Sequence, residues 1–216
     1  MAAGVGTLAF FVYVTEHPEP VKVTPVDTVA GFTIKKISID GLTRVKFTDA
    51  MKAETLTAKD PSGFVRLSLV QTNATDPTKK DVVTAEKMMT LMAPAAPSYL
   101  VRALSDEYTI GVRIGDTNSM FLILSTDSFD NSFAGMLEWE KNMSRDLAFM
   151  SQKTLPENLG FKDIVIRNKD VRVLYDSIGA PFLLYSFIDK KTIVIATDDA
   201  TLNDVSQKLI NFRSVR

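Results

Sequence analysis

In two places an aliphatic strand pattern runs into the same dipeptide, Thr-Asp. No other feature constrains the fold as much. Leu122-Ile123-Leu124 leads to Ser125-Thr126-Asp127, and Ile193-Val194-Ile195 leads to Ala196-Thr197-Asp198. Upstream, Val101-Arg102-Ala103-Leu104 has an echo in Val171-Arg172-Val173-Leu174. A short apolar run bounded by turn residues reads as a central strand, buried on both faces. A chain that leaves such a strand for a helix must satisfy the orphan N–H groups of the first turn within a residue or two, and an Asp side chain does this. Asp127 or Ser128 is therefore expected to cap the first helix and Asp198 or Asp199 the second, with Asp127 and Asp198 each at or within one position of the cap. The pattern predicts two hairpin-plus-helix units, over 101–146 and 171–212. They are either two units that share ordinary capping chemistry or an internal duplication. Two copies do not make a solenoid, which takes at least three repeats.

The rest of the body fits the same class. Residues 32–40 (FTIKKISID) are β-rich, with a change of phase between Ile34 and Ile37 that suggests a bulge. Thr43 is placed to cap a helix to about Ala58, Asp60-Pro61-Ser62-Gly63 marks a turn, and 64–71 alternates. This is a β-α-β unit. Short helices follow, one bearing Met88, Met89 and Met92 and one opened by Ser98. The fold expected is α+β: a β-α-β unit and two ββα-type units on a mixed or antiparallel sheet. The stretches are 1–14, 15–31, 32–104 and 105–216, the last two forming either separate domains or one.

Composition removes several function classes. Lys and Arg number 25 against 26 Asp and Glu, so the net charge of −1 provides no broad electrostatic footprint and no nucleic-acid partner is expected. There is no cysteine and a single histidine, His17, which excludes thiolate chemistry and multi-histidine metal sites. No cofactor is implied. Gly4-x-Gly6 lacks the preceding strand and third glycine of a phosphate loop, and Asp198-Asp199 lacks the spaced donors of a calcium loop.

Residues 2–14 (AAGVGTLAFFVYV) carry no charge. They fall short of the roughly 20 apolar residues that span a bilayer. The run reads as the end of a membrane anchor, a signal-peptide core or a buried segment of the fold. Phe10, Phe11 and Tyr13 at its end suit an interfacial belt, and the Pro-containing stretch 15–31 suits a linker. No basic cluster follows it. The expected arrangement is thus a membrane contact through 2–14 with the body on the extracytoplasmic side.

One helix carries the most chemical information. Over 128–150, Phe129, Phe133, Met136, Met143 and Leu147 fall on one stripe at 100° per residue, and Glu140 lies among them, about 20° from Phe129. A carboxylate on a core-facing stripe must be paired or neutral. Arg102, Arg113 and Arg172 are its candidate partners. The group is either structural or the acid–base residue of a small pocket.

Three segments, YLVRALSDEYTIGV (99–112), FLILSTDSFDNSFAGMLEWEKNM (121–143) and FKDIVIRNKDVRVLYDSIGAPFLLYSFIDKKTIVIATDDATL (161–202), resemble uncharacterised, N-terminally membrane-anchored proteins of ultra-small candidate-phylum bacteria. The resemblance implies a single N-terminal anchor and no particular activity, cofactor or catalytic residue. The expected function is a protein-interaction or scaffold domain in an envelope assembly of the pilus or secretion type, with envelope proteins or a second copy as partner. The alternative is a small hydrolase or ligand-binding domain with a pocket near Glu140.

Overall fold

The computed structural model describes residues 32–158 and 160–214. The expectations for 1–14 and 15–31 lie outside them. The fold is α+β: nine strands in one mixed sheet, with five α-helices among the described residues.

The β-α-β unit is built from β1 (Thr33–Ser38), α1 (Arg44–Thr57) and β2 (Phe64–Thr72). β1 and β2 are parallel, as a helical crossover requires. Thr43 caps α1 by accepting the Lys46 N–H at 3.4 Å. No bulge interrupts β1, whose pairing runs in unbroken register from Thr33↔Val65 to Ser38↔Val70. The phase change has another cause: β1 is an edge strand, and Ile34 is simply left half exposed. A short β3 (Lys80–Val82), absent from the sequence reading, pairs with the far end of β2.

Two helices follow, α2 (Ala85–Met92) and α3 (Ser98–Ala103). Met88, Met89 and Met92 are fully buried and fill the core. Ser98 is the first residue of α3 rather than its cap, which is Pro97, with no side-chain bond. Then come β4 (Leu104–Arg113), β5 (Ser119–Thr126), α4 (Phe129–Asp146) and a 3₁₀ turn at Ala148–Met150. The chain ends with β6 (Lys162–Ile166), β7 (Lys169–Tyr175), β8 (Pro181–Asp189), β9 (Thr192–Ala196) and α5 (Asp199–Ser214).

The strand order is β1-β2-β4-β5-β9-β8-β7-β6, antiparallel except at β1–β2. The two aliphatic strands, β5 and β9, are thus neighbours at the centre, with Leu122 opposite Ile195 and Leu124 opposite Ile193. The sheet buries both faces. On one, Phe47, Met51, Met88, Leu100, Met136 and Trp139 from α1–α4 pack on Leu67, Ile110, Leu122 and Ile195. On the other, Leu202, Val205 and Leu209 of α5 pack on Phe121, Ile123, Val173 and Val194. Each such side chain contributes about 1.5–3 kcal/mol on burial. Gly111 is required on the α5 face, since a Cβ there would lie 2.2 Å from the Phe121 ring.

The upstream echo does not hold. Val101-Arg102-Ala103 is helical in α3, whereas Val171-Arg172-Val173 is strand in β7. The downstream echo does: β4–β5 and β8–β9 are antiparallel hairpins, each followed by a helix.

Candidate functional site

The stripe of α4 is turned relative to the sequence reading. Its buried residues are Ser132, Gly135, Met136, Trp139, Met143, Ser144 and Asp146. Their centre lies roughly 60° from the one expected. Trp139 faces the core, while Phe133 and Leu137 are 45% and 39% exposed. The rotation has a steric cause. Gly135 lets α3 approach so closely that a Cβ there would sit 2.6 Å from Leu100 Cβ.

Glu140 consequently lies at the edge of the buried face, its side chain 13% exposed. Arg172 on β7 grips it with two bonds, Nε to Oε1 at 2.7 Å and Nη2 to Oε2 at 2.6 Å. Tyr185 on β8, directly opposite Arg172 in the sheet, donates its phenol to Oε1 at 2.7 Å. Asp163 on β6 takes the third nitrogen of Arg172 at 2.8 Å. The hydrogen bonds that it donates to Glu140 hold the guanidinium even further above its usual pKa. Burial, and then the Glu140 carboxylate, raise the Tyr185 phenol. The group is thus a locked bidentate clasp between a cation, an anion and a protonated phenol, with both Glu140 oxygens in use.

The other two arginines are elsewhere. Arg102 is exposed on α3. Arg113 pairs with Asp204 of α5 at 2.7 Å, on the opposite face of the sheet. Their alternation explains it, since Arg113 shares its face with Gly111, which the α5-side Phe121 ring covers.

The two expected caps also separate. Asp198 caps α5: its Oδ1 accepts the Thr201 N–H at 2.7 Å and its Oδ2 the Thr201 hydroxyl at 2.8 Å. Asp127 does not cap α4. The cap position is Ser128, without a side-chain capping bond. The preceding Thr126 does the work instead. Its hydroxyl accepts the Ser128 N–H at 3.1 Å, donates to the Ala103 carbonyl at 2.7 Å, and lies 2.5 Å from the Ser132 hydroxyl.

Sequence reasoning missed a second buried carboxylate, Asp146. It accepts the Trp139 indole N–H at 2.9 Å and the Ala95 N–H at 3.1 Å, with Arg44 of α1 at 3.7 Å. Its signal was present: seven residues after Trp139, it lies two helical turns along the same face. Lys169 was missed too. Its Nζ is buried without a hydrogen-bond partner, and burial lowers its pKa.

Among the exposed apolar side chains, Phe133 and Leu137 belong to a contiguous group. Phe129, Phe133 and Phe187 form an aromatic cluster with ring centroids 5.3–5.7 Å apart, extended on the α4 side by Leu137. Among the described residues no group of three His, Cys, Asp or Glu is placed to hold a metal. Among them, too, no helix is long and apolar enough to cross a membrane. No protein-family model, curated protein or solved structure matches the chain.

Proposed function

We propose that the chain is a membrane-tethered, extracytoplasmic scaffold domain that binds another envelope protein, in an assembly of the pilus or secretion type. Residues 2–14 are the tether. The observation that carries this reading is the aromatic cluster of Phe129, Phe133 and Phe187, in which Phe133, with the neighbouring Leu137, stands exposed on a base of the partly buried Phe129 and Phe187. Aromatic side chains are the residues that dominate binding energy at protein interfaces.

Its position supports the same reading. Thr33, where the described chain enters the sheet, lies opposite Val65, and the adjacent Phe64 lies opposite Arg113. Arg113 is opposite Ser119, the first residue of β5. Phe187 lies opposite Ile193, which is opposite Leu124 near the last residue of β5. The cluster and the point of entry are therefore towards opposite ends of the strands, four to five residues or roughly 15 Å apart along the strand direction. A partner seated on the cluster stands away from the tether. The hydrolase alternative draws no support from Glu140, because both its oxygens are spent on Arg172 and Tyr185.

A photo-crosslinker at Phe133 in the membrane-bound full chain tests this. The expected result is one discrete cross-linked envelope protein, lost in Leu137→Asp. A chain that fractionates as a monodisperse monomer, with no cross-link, overturns it.

A further inference from the structure

We propose that β6, the strand that ends the sheet, pairs with β6 of a second copy of the chain, antiparallel about a two-fold axis through Val165, so that two sheets become one. The two edges of the sheet are not alike. β1 carries Lys35 and Lys36, with Lys35 tied to Glu54 of α1. Lysines on an edge strand resist pairing with another chain. β6 is less guarded. It contains no proline, and its register with β7 runs unbroken from Lys162↔Val173 to Ile166↔Lys169. Its one lysine, Lys162, is turned over the Tyr175 ring at 5.8 Å. Val165 is 68% exposed. Among the described residues β6 packs chiefly on β7, with no helix closely over it.

The hairpin fixes which backbone groups face outward. Arg167 and Asn168, at φ 50° and 62°, form a two-residue turn of the kind that closes antiparallel hairpins. The residues flanking such a turn, Ile166 and Lys169, exchange both their hydrogen bonds, and pairs along a ladder alternate. Ile164 and Lys162 are then likewise spent on β7, and the N–H and C=O groups of Asp163 and Val165 point out of the sheet. Two antiparallel registers can join such edges. With the axis at Ile164, Asp163 lies against the partner's Val165, a carboxylate against an apolar side chain. With the axis at Val165, this residue meets the partner's Val165, Ile164 meets the partner's Ile166, and Asp163 meets the partner's Arg167. Apolar then faces apolar, and anion faces cation.

Both charges are available for this pairing. The Asp163 side chain is 82% exposed and gives only Oδ2 to Arg172. Arg167 is exposed and makes no ion pair among the described residues. Lys162 falls opposite the partner's Asn168, so no like charges meet. Opposite charges that face each other across a strand pair favour pairing, and like charges oppose it. With 5 residues in β6, the contact is smaller than a standard stable interface, so the dimer forms in a concentration-dependent way. This inference is independent of the scaffold reading, because neither residues 2–14 nor the aromatic cluster takes part in it.

The chain has no cysteine, so a single introduced thiol reports the contact. Val165→Cys in the full chain, treated with a short bismaleimide, should give a cross-linked dimer, because Cα atoms of a hydrogen-bonded pair lie about 5.5 Å apart. Ile178→Cys, on the exposed β7–β8 turn, is the control for random collision. Arg167→Asp should dimerise about tenfold more weakly by sedimentation equilibrium, since two like-charge pairs replace two opposite ones. Mixing it with Asp163→Arg should produce a heterodimer, in which both charge pairs form again. Val165→Lys keeps the Asp163–Arg172 bond and serves as the second variant should Asp163→Arg fold poorly. It should be monomeric with an unchanged melting temperature. Cross-linking of Val165→Cys no faster than that of Ile178→Cys overturns the proposal. So does equal dimerisation of Arg167→Asp and the unmodified chain. Either failure leaves the Phe133 cross-link, and the scaffold reading with it, untouched.

Discussion

The two helices that follow the central strands begin with the same Thr-Asp dipeptide and are held by different means. At the β5–α4 junction the threonine hydroxyl organises the turn and Asp127 is exposed. At the β9–α5 junction the aspartate caps the helix, and among the described residues the threonine hydroxyl makes no hydrogen bond. The anchors further along differ in the same sense. Glu140 of α4 accepts three bonds in a site 13% exposed, whereas Asp204 of α5 meets Arg113 with a side chain 39% exposed. Identical local sequence thus defines where a helix starts. It does not define which oxygen satisfies it, because that depends on what the sheet brings alongside. Ala103 and Ser132 lie beside Thr126.

The contrast can be broken experimentally, beginning at the strongest point. Glu140→Ala should cost about 2–3 kcal/mol in thermal or denaturant melts, since it leaves the Tyr185 phenol without its acceptor and Arg172 with the exposed Asp163 alone. Glu140→Gln should be milder, and Glu140→Lys worst, because it faces Arg172 with like charge. Equal melts for all three would show the clasp to be solvated. Next, Thr126→Val should cost about 2 kcal/mol, as it leaves the Ala103 carbonyl and Ser128 N–H without their partner. Asp198→Ala should cost about 1 kcal/mol, the usual value of a lost cap. Asp127→Ala, its counterpart, should change stability by less than about 0.5 kcal/mol. A larger loss at Asp127 than at Asp198 would reverse the assignment.

The smallest effect concerns the α5 side of the sheet, where Lys169 shares a face of β7 with Val171 and Val173. Burial lowers its pKa in the folded protein below the unfolded value of about 10.4. The folded state then binds fewer protons between those two values, so stability rises as pH climbs through the lowered pKa. The penalty is fully present below it. Lys169→Met should remove this alkaline gain in melts recorded from neutral pH upward, and a persisting gain would assign it to another group.

What was legible in the sequence was local. Thr43, the Asp60–Gly63 turn and the alternation of 64–71 specify a β-α-β unit because capping, turn chemistry and period all act within a few residues. The order of the strands was not legible, since nothing local tells β9 to pair with β5. Nor was the phase of α4. A count of apolar residues favoured the Phe129–Phe133 side, but Gly135 against Leu100 decides which face goes down. The likeness of Val101–Leu104 to Val171–Leu174 failed for the same reason, since four residues fit a helix or a strand until their surroundings choose. At the candidate site, the need of Glu140 for a partner was readable from its neighbours on the helix. Its choice of Arg172 depends on β7 and β8 lying side by side.

The strand order also carries a kinetic consequence. Strands β1 to β5 occupy one side of the sheet and β6 to β9 the other, each side wired mostly by hairpins close in sequence, and the two meet only along β5 and β9. Closing that seam demands a long loop and so belongs late in folding. Helix α4 continues from the first side, yet its Glu140 clasps Arg172 and Tyr185 of the second. It acts as a strap over the seam. An interaction made after the rate-limiting step leaves the folding rate nearly untouched and slows unfolding. Cutting the strap at Glu140 should therefore leave refolding fast and make the two halves part sooner.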